Sequence, residues 1–424
     1  MSSVKAVAGN FEKFVALARF AAENSNFYAK ILREFVRRPD LDAMGRIEVI
    51  GPDEMYRYGP PESTEMLTGP MTGGYITRSG GSSGREKYAF TSYEEAAYGA
   101  GLLGTMFRNL GIDGNDRVAN LFMPGHMYSA FASVCLALEH TGCLQLPIGA
   151  NTEPEQIFAY LETFAPNVLL AVPSLIMGVA EQVEKGGRRI GFRKIGYAGE
   201  HLSGSSRQYL KSVFGQDLEI FSLGYAAVDT GIIAYQDASC SGIRHRVPVD
   251  YVLVEILDPV SGRPLDFGEE GDIVVSNLYR RSMPVIRYHV GDRGILYPAA
   301  DGGDPLLDLL GRSGGDIMLC GYRVPLSVFR RAFGKVAPDA ALQLHIRAEG
   351  PKIKLDFRYE NTETDSFEER DLEGELRRES ELVAGMFDGG ILLPPTLARF
   401  APGVLPRNEV TGKLIQVIDE RSSA

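Results

Sequence analysis

Between Thr77 and Phe90 the chain reads TRSGGSSGREKYAF, where Gly80, Gly81 and Gly84 alternate with Ser79, Ser82 and Ser83 and are followed by Arg85 and Lys87. Consecutive glycines let backbone N–H groups turn inward as a concave nest for an anion, and the serine hydroxyls and the lysine ammonium add further donors. Taken alone, the run reads equally as a flexible surface loop. It does not fit the GxxxxGK[ST] phosphate loop. A literal GxGxxG at Gly99, Gly101 and Gly104 lies inside a helical pattern with no strand ahead of it, so it is read as coincidence. Lys413 directly follows Gly412, Asp292 and Arg312 sit in glycine-containing turns, and Tyr225 closes an apolar run; singly, each reads as a surface, turn or core residue. Cys240 and His245 have zinc-like spacing, but two ligands do not make a structural site that needs four.

Around these residues the chain alternates between helix-like and strand-like segments. SYEEAAYGAGLLGTMFRNL reads as helix, DRVANLFM as strand, MYSAFASVCLALEH as helix and CLQLPI as strand. The alternation continues through EPEQIFAYLETF, NVLLAV, PSLIMGVAEQVEKG, RKIGYAG, SSRQYLKSVFG and the strand LEIFSLGYA. Apolar strands separated by helices predict an α/β fold with mostly parallel sheet flanked by helices. FEKFVALARFAAENSNFY ahead of this region predicts one amphipathic helix. Beyond Arg246, segments such as DYVLVEILD and GDIVVSN, set between Gly, Pro and Asp turns, predict a β-rich subdomain. The last part carries a helix (LSVFRRAF), strands (LQLHIRA, PKIKLDFRY), a charged helix (SFEERDLEGELRRES) and an isolated polar tail. A boundary near Gly314 gives an N-terminal domain over 1–314 and a smaller α+β domain over 315–424 that contains Lys413.

The 424 residues carry a net charge of −11, which argues against general binding to nucleic acid or an anionic membrane, because both need a basic face. The long uncharged run through Asn120–Leu138 is interrupted by Pro124, Gly125 and His126, so no membrane span is expected. MSSVKAVAGNFEKF lacks an apolar signal core, and a cytoplasmic location is expected. The dispersed Cys135, Cys143, Cys240 and Cys320 are read as reduced thiols.

SGGSSGREK resembles the phosphate loop of the adenylate-forming superfamily, which includes acyl-CoA synthetases, nonribosomal peptide adenylation domains and luciferases. Five more stretches follow in the family's order. AGEHLS (Ala198–Ser203) resembles its Gly/Glu segment beside the nucleotide, and YAAVDTG (Tyr225–Gly231) its YGSTExG. MPVIRYHVGDRG resembles the strand and turn ending in YRTGD, LLGRSGGDIMLCG resembles GRxDDxIxxxG, and LPRNEVTGKL (Leu405–Leu414) resembles LPRTxxGKxxR. The six span about three quarters of the chain. EEGDIVVSNLYRRSMPVIRYHVGD and the short length are most similar to the phenylacetate-CoA ligase branch, and the variant loops resemble members used in secondary metabolism, including phenazine-type antibiotic pathways.

The resemblance implies ATP-dependent activation of a carboxylic acid to an acyl adenylate with release of pyrophosphate, followed by acyl transfer to coenzyme A. Ser79, Gly80, Gly81, Ser82, Ser83, Gly84 and Lys87 would hold the phosphates. Ala198, Gly199, Glu200 and Ala226 would lie beside the nucleotide, with Tyr225 stacking on adenine and Asp292 and Arg312 on the ribose. Asp229 would take the place of the glutamate that binds Mg²⁺, and Lys413 would bridge the carboxylate and the α-phosphate, neutralising charge that builds up in the transition state. Gly314 would serve as the hinge of a mobile C-terminal domain. His126, Tyr128 and Tyr197 would line a pocket for an aromatic or other flat acid. The chain departs from the family at Glu86 (usually proline), Val228 (threonine) and Gly314 (aspartate). The CxC pair of the branch's metal site is absent from YPAADGGDPLLDLL, so no zinc is expected. The expected partners are the small-molecule acid and CoA, with a homodimer as an assembly the resemblance allows. Two alternatives stay open. One is transfer of the acyl group to an amine, a carrier protein or a reductase, and the other is a non-catalytic nucleotide-binding relative.

Overall fold

The computed structural model describes residues 10–79, 87–199, 202, 204–237, 239–312, 316–319, 321–337, 341–360, 369–400, 404–406 and 417–422. Helix α1 (Phe11–Asn24) opens the chain and buries Phe14, Leu17, Ala18 and Ala21. The amphipathic pattern predicts one helix through Tyr28, but the chain breaks at Ser25, which is extended and accepts a hydrogen bond from Tyr28 N–H to cap a new short helix. Further short helices lead to the hairpin β1 (Gly74–Ser79) and β2 (Lys87–Ser92), in which Ser79 pairs with Lys87. Residues 80–86, the predicted phosphate loop, lie outside the described residues and connect these two strands.

Helix α2 (Tyr93–Asn109) begins with a reciprocal cap: Ser92 Oγ accepts from Glu95 N–H, and Glu95 accepts from Ser92 N–H. Gly99, Gly101 and Gly104 all lie within this helix. There then follow β3 (Arg117–Asn120), α3 (Ala130–Glu139), β4 (Leu144–Pro147), α4 (Pro154–Phe164), β5 (Val168–Ala171) and α5 (Pro173–Gly186). The series ends with β6 (Lys194–Tyr197), α6 (Gly204–Phe214) and β7 (Glu219–Ser222). The five strands form a parallel sheet in the order β4-β3-β5-β6-β7. Alternate residues face opposite sides. Leu169, Ile195 and Tyr197 pack with α4, α5 and α6, whereas Val168, Leu170 and Phe221 pack with α2 and α3. Helices on both faces explain why β5 is apolar throughout rather than alternating.

LEIFSLGYA, predicted as a single strand, divides in two. Gly224 has φ +130, and a Cβ there would lie 2.6 Å from Ala234 O, so the chain turns out of β7 into a separate hairpin, β8 (Tyr225–Ala227) and β9 (Gly231–Ala234). The β-rich region is an antiparallel sheet of β10 (Arg244–Arg246), β11 (Val252–Leu257), β12 (Glu270–Asn277), β13 (Val285–Tyr297) and β14 (Leu306–Arg312), in the order β10-β14-β13-β12-β11. Its apolar face joins α1 in one core. The α/β expectation with a β-rich subdomain is thus borne out.

The remaining described residues have an apolar cluster of their own, running from Ile317 to Leu392. It contains the hairpin β15 (Asp316–Leu319) and β16 (Tyr322–Pro325), α7 (Leu326–Val336), β17 (Ala341–Glu349), β18 (Lys352–Glu360), α8 (Glu369–Glu379) and α9 (Glu381–Asp388). Strands β19 (Thr396–Phe400) and β20 (Val417–Asp419) complete a sheet in the order β19-β18-β17-β20. The polar tail is therefore not isolated. Leu344 and Ile346 of β17 pair in parallel with Val417 and Asp419, and Arg421 Nη2 donates to Met318 O at 2.8 Å. No helix among the described residues is long and apolar enough to cross a membrane.

The glycines of α2 serve packing. A Cβ at Gly104 would lie 2.6 Å from His140 Cβ and 2.7 Å from Ala137 O at the end of α3. Gly104→Ala is expected to lower the unfolding free energy by about 1–3 kcal/mol in urea titrations, despite alanine's better helix propensity.

Candidate active site

Chain connectivity along the parallel sheet reverses between β3 and β5. From β3 the chain runs to β4 on one side, and from β5 to β6 on the other. Ligands of open α/β sheets bind outside the carboxyl ends of the strands at such a point. The segment Leu121–Tyr128, the Ala198–Gly199 turn and the β8–β9 hairpin all leave from that edge.

The hairpin turn carries Asp229, and its surroundings define the centre of the site. Lys87, the last residue of the predicted phosphate loop, donates from Nζ to Asp229 Oδ2 and, at 2.7 Å, to Tyr288 OH on β13. Tyr288 OH in turn donates to Asp229 Oδ2 at 2.7 Å. All three are buried, with relative exposures of 5% for Lys87, 3% for Asp229 and 1% for Tyr288. Burying either charge alone is costly, and each group offsets part of that cost for the other. Arg280, also buried, staples the same region: Nη1 donates to Asp229 O at 2.7 Å, and Nη2 donates to Phe90 O at 2.6 Å and Thr91 Oγ1 at 2.9 Å.

The resemblance implies Mg²⁺ on Asp229. In the structure Oδ2 faces an ammonium and a phenol inside the protein, a setting that fits an anchor for Lys87. Lys87, expected among the phosphate donors, is turned the same way. Val228, which replaces the family's threonine, packs on the core, and its carbonyl accepts from Arg280 Nη1 at 3.4 Å.

The other nucleotide candidates meet beside this group. Tyr225 OH donates to Asp292 Oδ2 at 2.6 Å, and Asp292 on β13 is the cross-strand partner of Arg312 on β14. The strand that presents Tyr288 and Asp292 is fixed by Arg287. That residue holds φ +47, makes two 3.0 Å bonds to Glu255, and donates to the carbonyls of Gly45 and Ile47. Burial pushes the Glu255 carboxyl up from its ordinary value, against the pull of Arg287. Ala198 packs under the sheet edge, Gly199 follows it, and Ala226 is exposed.

His126 is exposed and Tyr128 half-buried, with ring centroids 6.4 Å apart. Tyr197 faces the α5/α6 side of the sheet. It is 4% exposed, and its hydroxyl accepts from Arg207 Nη2 at 2.5 Å. Burial pushes its phenol pKa up, and the ring packs within the core on that face. His245 has both nitrogens engaged: Nδ1–H donates to Ile243 O and Nε2 pairs with Ser222 Oγ, each at 3.0 Å, the setting of a structural histidine. Burial raises the Cys240 thiol. Among the described residues no group of three or more His, Cys, Asp or Glu is arranged to hold a metal ion.

Gly80, Gly81, Ser82, Ser83, Gly84, Glu200, Gly314 and Lys413 lie outside the described residues, as does the Arg312 side chain. Both flanks of the Lys413 segment are nevertheless fixed. Leu405 N–H donates to Glu360 at 2.9 Å, Pro406 O accepts from Gln343 at 3.2 Å, and β20 pairs with β17. Sequence reasoning missed Tyr288, Arg280 and Arg287. Their signal was polar residues within the otherwise apolar run NLYRRSMPVIRYHV.

Residues 48–279 match the family model of AMP-binding enzymes, and the chain belongs to that family. Indoleacetate–lysine synthetase of Pseudomonas savastanoi is 25% identical over 52% of this chain and 53% of its own length. Phenylacetate-coenzyme A ligase of Thermus thermophilus is 25% identical over 67% of this chain and 66% of its own. The chain thus spans about half to two thirds of the length of these curated relatives. A 2-hydroxyisobutyryl-CoA ligase, solved with 2-HIB-AMP and CoA, has a TM-score of 0.73 at 17% identity, covering 99% of this chain and 90% of that one. An amide bond synthetase of Marinactinospora thermotolerans has a TM-score of 0.51 at 16% identity over 84% of this chain and 69% of that one. The adenylate-forming fold and the likeness to the phenylacetate-CoA ligase branch are borne out.

The buried triad makes a stability prediction. Lys87→Met removes the ammonium from Asp229 and is expected to lower the unfolding free energy by about 3–5 kcal/mol. Lys87→Met/Asp229→Leu should recover part of that loss, and paired urea titrations check it.

Proposed function

We propose that the protein activates a carboxylic acid with Mg·ATP. A carboxylate oxygen attacks the α-phosphorus, the bond to the β-phosphate oxygen breaks, and pyrophosphate leaves behind an acyl adenylate. A thiolate then attacks the acyl carbonyl, the bond to AMP breaks, and the thiol's proton passes to solvent. Coenzyme A is the proposed thiol.

The observation that carries this reading is convergence. Segments from Lys87, Tyr225–Asp229, Arg280–Asp292 and Arg312, far apart in the chain, meet at one place. In this reading the Lys87–Asp229–Tyr288 group fixes the base of the phosphate loop, Tyr225 offers its ring to adenine, and Asp292 accepts from the ribose hydroxyls. Lys413, on a segment fixed at both flanks, supplies the charge that stabilises the pentavalent α-phosphate. The unit beginning at residue 315 would swing about Gly314 between the two half-reactions.

An aromatic acid is proposed because the relatives named above are, by name, a phenylacetate ligase and an indoleacetate synthetase, both acting on flat arylacetic acids. The likeness to a lysine-conjugating synthetase and to an amide bond synthetase favours a second reading, in which an amine replaces the thiol. Identifying the product formed with CoA or with lysine separates the two.

Acid-dependent ATP–pyrophosphate exchange over a panel of aryl and arylacetic acids tests the first half-reaction. Exchange should require an acid and should fall by about 10²–10³-fold in Lys413→Ala. Exchange that the substitution leaves intact would remove Lys413 from the reaction. Absence of exchange with every acid, together with tight ATP binding, would favour a non-catalytic nucleotide-binding protein.

A further inference from the structure

The turn Gly125-His126-Met127 is left-handed at three consecutive residues, with φ of 78°, 50° and 60°. Two of them are not glycine, and such a conformation persists only where its surroundings hold it. Two contacts do so. Tyr128 N–H closes the turn onto Gly125 O at 3.0 Å, and Arg78 N–H donates to Met127 O at 2.8 Å. The Arg78 guanidinium also lies over the Tyr128 ring, 5.2 Å from its centroid, with Nη2 3.4 Å from the hydroxyl. Arg78 belongs to β1, just ahead of the phosphate loop, whereas the turn leaves the carboxyl end of β3 at the point where sheet connectivity reverses.

We infer that Arg78 is a positioning residue that ties the acid-side turn to the root of the phosphate loop. Its backbone and its cation–π contact hold residues 125–128 in the strained form. The inference rests on the proposed function for the meaning of the two sides, acid and nucleotide. Arg78 touches neither reacting atom in this account. It sets where Tyr128 and His126 stand relative to the phosphates, so the fit of the acid depends on a residue of the nucleotide side.

The test uses the full chain with Arg78→Met, Arg78→Lys, Tyr128→Leu and the Arg78→Met/Tyr128→Leu double variant. Amide hydrogen exchange over residues 123–129, measured without substrates, should be about tenfold faster in Arg78→Met than in the wild type, with the β3 amides unchanged. In ATP–pyrophosphate exchange with the preferred acid, KM for the acid should rise about tenfold and KM for ATP less than about twofold. Arg78→Lys should recover part of the change, and the double variant should be no worse than Arg78→Met. Unchanged exchange protection in Arg78→Met, additive effects of the two single variants, or equal rises in both KM values would each overturn the inference. If the wild type shows no acid-dependent exchange, the adenylation reading fails on its own. Hydrogen exchange then still decides whether Arg78 holds the turn.

Discussion

The ammonium of Lys87 against the carboxylate of Asp229, sealed from water under Tyr288, is the constraint on which the geometry of this site depends. In a low-dielectric interior a charge tolerates no lateral slip away from its partner. The pair therefore pins three chain segments to one point: the start of β2 at Lys87, the tip of the β8–β9 hairpin and the middle of β13. Arg280 repeats the constraint through backbone carbonyls, tying Asp229 to Phe90. Tyr225 and Asp292 lie on the same two elements and inherit their relative position, which is why their hydrogen bond closes.

The rest of the architecture supplies what that point needs. A parallel sheet covered on both faces gives a rigid edge from which loops can project, and its reversal of connectivity leaves a crevice there. The antiparallel sheet brings β13 alongside, locked by the bidentate Arg287–Glu255 pair. The last part of the chain builds its core separately and fixes both flanks of the segment that carries Lys413. For the proposed reaction, a lysine carried on its own small unit suits chemistry in which one charge is present for the first step and withdrawn for the second.

The fold and the site were not equally legible in the sequence. Helices and parallel strands from Ser92 to Ser222 could be read because apolar periodicity and Gly/Pro punctuation agree over each segment. Where the deciding residue was a single cap or a single glycine, the reading failed: Ser25 broke one predicted helix in two and Gly224 one predicted strand. The polar tail hid β20, because a short strand beside an established sheet needs few apolar residues. Tyr225, Asp229 and Asp292 could be picked out as residues, but their roles depend on which way each side chain points. A carboxylate written in a line of letters looks the same whether it faces a cation in solvent or an ammonium in the core. Buried Arg280, Arg287 and Tyr288 were passed over for the same reason, since polar residues in apolar runs gain meaning only from partners distant in the chain.

The most direct measurement follows oxygen. The acid, labelled with ¹⁸O in its carboxylate, is incubated with ATP and the acyl acceptor, and AMP, pyrophosphate and phosphate are analysed by mass spectrometry. If the carboxylate attacks the α-phosphorus, one labelled oxygen stays on AMP when the acyl group departs, and pyrophosphate and phosphate remain unlabelled. Label in phosphate with formation of ADP, or nucleotide products free of label while product accumulates, would contradict activation through an acyl adenylate.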